Sequence, residues 1–254
     1  MLSFLGIVLI GSILLSLPIS SATGKSVSYL DALFTATTAA CVTGLVTLPT
    51  VSTWSPFGQA VILILIQIGG LGVITIVSGL MIAFHCRIDM GDRLLIQDAF
   101  NLNTLSGLVR FIKKVLLGTL CVEGAGALLY MLVFVPKYGV KGIWISVFNA
   151  VSAFCNAGID IIGENSLCDY AANPVINLVT CGLIVLGGIG YIVWWDVLRV
   201  TKKFGVMGNK CWKALSLHSK IAISASVFFL VSGGGSALFE SPAGELTLAD
   251  ILDI

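Results

Sequence analysis

Charged side chains are scarce in this chain. Only 11% of its 254 residues are charged and 57% are hydrophobic, whereas a typical soluble domain carries about 25% charged residues. The apolar residues are also collected in long runs. This pattern argues against an ordinary water-soluble domain, and the net charge of +1 gives no reason to expect a nucleic-acid partner. The composition therefore indicates an integral membrane protein, with the lipid bilayer as its first partner.

Residues that build metal centres and catalytic sites are sparse as well. The chain has two histidines, and its seven cysteines form no CxxC pair and no metal-ligand spacing with them. We interpret the cysteines as free thiols. No nucleophile stands in a recognisable arrangement with a base, and no glycine-rich loop has the spacing of a phosphate-binding site. The sequence therefore gives no reason to expect an enzyme or a covalently bound cofactor.

Five apolar stretches reach or approach the roughly 20 residues that a helix needs to cross a bilayer. Two of them open with a capping residue followed by proline, at Ser55-Pro56 and Asn173-Pro174, which is typical of a helix start. The first stretch has the length of a signal peptide but lacks a basic leading region, so we interpret it as a short or trimmed span. The predicted spans cover residues 2–19, 56–84, 115–135, 174–197 and 217–239.

Basic residues are distributed unevenly between the connections. Residues 85–114 and 198–216, with Lys220 just beyond, hold eleven of the fourteen lysines and arginines, and the other connections hold three. Because basic loops stay on the cytoplasmic side, the pattern predicts a multi-pass protein of the cell membrane with a cytoplasmic N-terminus. The connector at 85–114 is predicted to be an amphipathic helix on the inner surface; a plain solvated connector is the alternative.

An internal repeat relates two parts of the chain. Residues 34–45 and 148–159 align without a gap at an offset of 114, with phenylalanine, two alanines, cysteine and glycine at equivalent positions. Each segment follows one predicted span and precedes another. The later spans also share a GGxG cluster, at residues 69–72 and 187–190, which suits close approach of helix backbones.

Each aligned segment is too short to cross the membrane. In the first, Ser28 is predicted to cap a helix over residues 29–39, with Asp31 in its first turn. An extended stretch, residues 41–44, would follow and end on a glycine. Extended backbone is tolerated at membrane depth only where it lines a water-filled cavity, and its carbonyls can replace the hydration shell of a cation. The alternative is an ordinary turn before a loop.

These motifs resemble those of the bacterial Trk and Ktr potassium transporters, specifically the membrane pore subunit. The family's first selectivity filter is similar to residues 35–45 and its second to residues 152–158, and the span after the first filter is similar to residues 67–72. The resemblance covers essentially the whole chain. It implies an all-α membrane protein with tandem span–pore-loop–span repeats, two re-entrant pore helices and five transmembrane helices.

The resemblance also implies a set of site residues. The filter glycines fall on Gly44 and Gly158, and Cys41 and Cys155 contribute inner carbonyls. The transported ion would be K⁺, because a glycine at the filter position favours potassium in this family. The carbonyls that coordinate potassium fall on Val42, Thr43, Asn156 and Ala157.

The domain organisation follows from the same resemblance. Residues 1–84 would form the first unit and 115–198 the second, joined by the connector at 85–114. A cytoplasmic loop at 199–216 would lead to the start of a third unit at 217–254. The family has four filters, so we expect the chain to be the N-terminal portion of a longer protein, with a third filter glycine near position 263. The resemblance further implies a homodimer and a cytoplasmic, nucleotide-binding regulatory subunit.

The sequence leaves several points open. Selectivity for potassium over sodium is not settled by the motifs, nor is channel-like transport against transport coupled to protons or sodium. A membrane scaffold with purely structural hairpins is the alternative from another functional class. Glu123 lies within the third predicted span, where an ionisable group is either functional or paired with a neighbouring pore helix or backbone amide.

Overall fold

A computed structural model of the chain describes residues 2–72, 75–76, 108–163, 166–204 and 209–240. Within these ranges the secondary structure is helical, apart from one isolated bridge between Ser21 and Trp54. Most of the predicted connector at 85–114, and the predicted third pore helix after residue 240, lie outside the described residues. The helices in chain order are α1 (Leu2–Ser16), α2 (Tyr29–Cys41), α3 (Thr50–Thr53), α4 (Pro56–Leu71), α5 (Leu108–Tyr138), α6 (Val140–Phe154), α7 (Pro174–Gly188), α8 (Tyr191–Phe204), α9 (Asn209–Ala214) and α10 (Leu217–Glu240), with 3₁₀ turns at Pro18–Ser20 and Cys168–Tyr170.

Two of the described helix starts follow directly from their sequences. The Ser55 hydroxyl accepts a hydrogen bond from the Gly58 N–H, and the Asn173 amide oxygen accepts from the N–H groups of Val175 and Ile176. These bonds confirm the two predicted caps, because they satisfy N–H groups that have no partner inside the helix. Ser28 also occupies the N-cap position of α2, but its side chain makes no capping hydrogen bond.

The length and apolar composition of the described helices support the prediction of a membrane protein. Among the described residues, the stretch Phe111–Tyr138 within α5 is long and apolar enough to cross a bilayer. The pair Pro174–Gly188 and Tyr191–Lys203 passes the same criterion if the two helices form one broken span. Four shorter apolar helices accompany them, at Phe4–Ser16, Pro56–Leu71, Val140–Phe154 and Leu217–Ser232.

The predicted fourth span is not one straight helix. Helices α7 and α8 meet at an angle of 99°, and the break falls at the GGxG cluster, where Gly190 has a φ of +89°. The equivalent Gly72 has a φ of +80° and ends α4. A left-handed residue interrupts the repeating helix geometry, and glycine adopts it without a steric penalty. The sequence pattern predicted close helix contacts at these clusters, but the break was not predicted.

Packing reproduces the internal repeat. Helix α2 packs against α1 and α4, and α6 packs against α5 and α7. The backbone of α4 at Gly69 closely approaches the Ala40 carbonyl, since a Cβ added there would lie 2.2 Å from that oxygen. Gly187 makes the equivalent approach to the Phe154 carbonyl, at 1.8 Å by the same measure. The glycine clusters therefore bring each of these helices against the end of a short re-entrant-length helix.

A single core connects the two halves. Buried residues from α1, α2 and α4 form one cluster with residues from α5, α6 and α7. A polar contact also crosses between the halves, where the Trp144 indole donates to the Gln59 side-chain oxygen at 2.8 Å. The two aligned segments are therefore held in a fixed relation to each other.

Candidate ion pathway

Two short segments leave the C-terminal ends of α2 and α6. The first segment is defined here as residues 41–44 and the second as residues 155–158. In the first, Val42 and Gly44 have left-handed φ values of 56° and 74°; in the second, Asn156 and Gly158 have 58° and 68°. The positive φ values therefore occur at equivalent positions of the two segments, which are 114 residues apart. The repeat seen in the sequence is thus also a repeat of backbone conformation.

The N–H groups of the first segment turn back to α2. The Val42 N–H donates to the Ala39 carbonyl at 3.3 Å, and the Thr43 N–H donates to the Thr38 carbonyl at 3.0 Å. A trans peptide unit directs its N–H and C=O in opposite directions. The carbonyls of Cys41 and Val42 therefore point away from the helix that precedes them.

The second segment repeats this arrangement on α6. The Asn156 N–H donates to the Ala153 carbonyl at 3.1 Å, and the Ala157 N–H donates to the Ser152 carbonyl at 2.8 Å. The carbonyls of Cys155 and Asn156 accordingly point away from α6. Each segment presents uncharged backbone oxygens and no ionisable carboxylate or ammonium group.

The two segments are in contact. A Cβ added to Gly44 would lie 2.6 Å from the Ala157 carbonyl oxygen and 3.6 Å from the Gly158 Cα. Only a residue without a side chain allows this approach. The structure therefore brings together the two glycines that the sequence singled out, with a carbonyl of the second segment directed at the first.

The two cysteines are placed differently. Cys41 is exposed, whereas Cys155 is buried against α4, where a Cβ added to Gly70 would lie 2.4 Å from its Sγ. Both are free thiols. Val42 and Asn156 also contact the glycine clusters: a Cβ on Gly69 would lie 2.8 Å from a Val42 methyl group, and one on Gly187 would lie 3.5 Å from the Asn156 Nδ2.

A pair of hydroxyl groups braces the ends of the segments. The Thr38 hydroxyl accepts from the Leu45 N–H at 3.0 Å, and the Ser152 hydroxyl donates to the Ile159 carbonyl. Thr38 and Ser152 are equivalent in the repeat, as are Leu45 and Ile159. This role was not predicted, because Thr38 and Ser152 are not identical residues, although both carry a hydroxyl group that could have indicated it.

Comparison with known proteins gives this geometry a context. A family model described as TrkH, cation transport protein, matches residues 7–236. The chain belongs to the TrkH family. The resemblance stated from the filter motifs is thereby confirmed, and this family is one of cation transport proteins.

Individual relatives agree with that assignment. The TrkH-family chain is 39% identical over 231 residues to the potassium/sodium uptake protein NtpJ of Enterococcus hirae, which covers 91% of the chain and 49% of the relative. It is 38% identical over 221 residues to the Ktr system potassium uptake protein B of Bacillus subtilis, and this match covers 87% of the chain and 47% of the relative. The Ktr system potassium uptake protein B of Vibrio alginolyticus is 33% identical over 234 residues, and this match covers 92% of the chain and 49% of the relative. The chain spans about half the length of these relatives.

Proposed function

We propose that this chain contributes two adjacent pore-lining units to a transporter of monovalent cations, with potassium as the preferred ion. The observation that carries the proposal is the repeated backbone geometry at residues 42–44 and 156–158. Both segments direct carbonyl oxygens away from their helices, and they meet at Gly44. Carbonyl dipoles arranged in this way replace the water molecules around a cation without adding a net charge.

In this proposal the coordinating carbonyls belong to Val42, Thr43, Asn156 and Ala157, and those of Cys41 and Cys155 lie further in. Residues 1–84 and 115–198 act as the two units, and α2 and α6 act as re-entrant pore helices. The printed names of the relatives, which are potassium or potassium/sodium uptake proteins, support the choice of cation.

The proposed protein lies in the cell membrane with its N-terminus in the cytoplasm, as its basic connections suggest. It works as a homodimer with a cytoplasmic nucleotide-binding subunit. Relatives named as parts of a Ktr system support an assembly with several components. The basic connections at 85–114 and 198–216 are the docking surface proposed for that subunit.

Growth of a potassium-uptake-deficient strain at low potassium tests the proposal. The complete gene product that contains this chain should restore growth, and Gly44→Asp or Gly158→Asp should abolish it. Aspartate is strained at a left-handed φ, and at Gly44 its side chain would also collide with the Ala157 carbonyl. Gly24→Asp is the matched control, because Gly24 has a φ of +71° with no atom within 4 Å of an added Cβ.

The control variant should support growth. If both filter variants also support growth at normal abundance, the segments do not line the ion path and the hairpins are structural.

A further inference from the structure

A buried carboxylate lies in the middle of the longest apolar helix. Glu123 is 5% exposed and is the acidic residue of the stretch Phe111–Tyr138 in α5. A carboxyl group removed from water is unfavourable unless hydrogen bonds compensate for the lost hydration. Its position at this depth therefore calls for a specific partner.

Gln67 on α4 is that partner. Its side-chain Nε2 lies 3.0 Å and 3.2 Å from the two carboxylate oxygens of Glu123. Residues 67 and 123 belong to different halves of the repeat. The hydrogen bond therefore joins the returning helix of the first half to the first helix of the second half.

The other end of the same amide reaches the second segment. The Cys155 thiol donates to the Gln67 Oε1 over a distance of 4.0 Å. One turn further along α4, the backbone at Gly70 lies directly against Cys155. The Gln67 amide nitrogen thus faces Glu123, and its oxygen faces Cys155. The carboxylate fixes this orientation of the amide, because a carboxylate accepts hydrogen bonds and the amide NH₂ is the donor.

The second glycine-cluster helix lacks the residue that makes this link. The residue equivalent to Gln67 there is Val185, which has no hydrogen-bonding side chain. Helix α7 nevertheless packs against α6. A glutamine at this position is therefore not required for a returning helix to pack on the short helix before it.

We propose that Glu123 acts as a positioning residue: it orients Gln67, which holds Cys155 and so sets the place of the Cys155 carbonyl in the ion path. The inference rests on the proposed function. A small shift of one coordinating carbonyl changes the relative stabilisation of potassium and sodium. The link therefore contributes to ion discrimination, beyond holding two helices together.

The test is the ratio of rubidium to sodium uptake, with rubidium as the tracer for potassium, measured in cells at equal protein abundance. Gln67→Leu and Glu123→Leu should each lower the ratio on the order of fivefold, the scale expected for loss of one buried hydrogen bond. The double variant should show no further loss, because both changes remove one link. Glu123→Gln should retain most of the ratio, since its amide oxygen still accepts from Gln67.

Gln59→Leu is the matched control. Gln59 lies two turns earlier on α4, is buried, and bonds the Trp54 carbonyl at 3.1 Å and the Trp144 indole at 2.8 Å. It should change abundance or stability but not the uptake ratio.

Two outcomes overturn the inference: an unchanged ratio in Gln67→Leu, or an equal loss in Gln67→Leu and Gln59→Leu. Failure of the unmodified protein to take up either ion would instead overturn the proposed function on which it rests.

Discussion

Asp160 follows the second segment by two residues and lines a polar cavity of about 350 Å³ together with Gly158 and Thr47. Its carboxylate is held by the Ile162 N–H, at 3.2 Å, and by the Ser166 hydroxyl. The equivalent position after the first segment is Val46, which is uncharged and borders the same cavity. A fixed negative charge at this place raises the local concentration of cations.

We expect Asp160→Asn to raise the KM for potassium about two- to fivefold at low ionic strength, with little change in the maximal rate. Asparagine still accepts from the Ile162 N–H, so the loop should keep its shape. The difference should vanish at high ionic strength, because the Debye length falls from about 10 Å at 0.1 M salt to about 3 Å at 1 M. Uptake kinetics in an impermeant salt series provide the measurement.

Asp169→Asn is the control for this series, since Asp169 is exposed on the 3₁₀ turn Cys168–Tyr170 and does not border the cavity. A KM effect of Asp160→Asn that persists at high salt would show that the residue acts through loop structure and not through its charge.

For individual residues, the sequence predicts backbone conformation better than side-chain contacts. Gly44 and Gly158 have the left-handed φ values that their place in the repeat suggested. The contact of Gln67 with Glu123 was outside the reach of sequence reasoning, because it joins residues 56 positions apart whose helix faces are set only by tertiary packing. The sequence suggested pairing of Glu123 with a neighbouring pore helix or a backbone amide, whereas its partner is the Gln67 side chain on α4, which lies in a predicted membrane span.

Among the helices, starts were easier to predict than ends. A side chain that bonds the first N–H groups is a local device, so Ser55 and Asn173 marked α4 and α7 correctly. The break between α7 and α8 was not predicted because residues 174–197 are predominantly apolar, and hydropathy does not detect a left-handed glycine. Across this break the Trp194 indole donates to the Leu186 carbonyl at 2.9 Å, which satisfies an oxygen near the end of α7.

Gly187→Ala is predicted to destabilise the protein through the packing of α7 on α6. The new Cβ would lie 1.8 Å from the Phe154 carbonyl oxygen, and backbone must move to admit it. Overpacking of this kind costs about 1–3 kcal/mol, so the midpoint of thermal unfolding in detergent should fall by several degrees, at about 2–4 °C per kcal/mol.

The neighbouring Gly182 on the same helix has no atom within 4 Å of an added Cβ. Gly182→Ala should therefore leave the midpoint unchanged or raise it slightly, because alanine favours the helix. Equal destabilisation by both changes would contradict the close-approach role of the glycine cluster.

Over the whole molecule, large apolar side chains lie on the outside as well as in the core. Leu132 on α5 is 68% exposed, and Phe229 on α10 is 70% exposed. In a water-soluble protein such surfaces would lead to association, whereas lipid or further membrane helices can cover them. The membrane class was therefore predictable from composition, but the surface that each helix presents was not.

The orientation in the membrane is open to a direct test. In a background without the seven native cysteines, Lys25→Cys should react with a membrane-impermeant maleimide in intact cells, and Lys202→Cys should react only after permeabilisation. Both positions are exposed in the structure, so reactivity reports the side of the membrane. The reverse pattern would contradict the predicted cytoplasmic N-terminus and the positive-inside assignment.

Val42 adopts a left-handed backbone conformation that is unfavourable for its side chain. A β-branched residue in the left-handed region is disfavoured by roughly 1–2 kcal/mol relative to glycine. The native residue at this position therefore carries a local backbone strain that glycine would not have. Glycine at position 42 would relieve this strain but also loosen the segment, so a more stable variant obtained at this site would have a less rigid backbone where we propose that the ion passes.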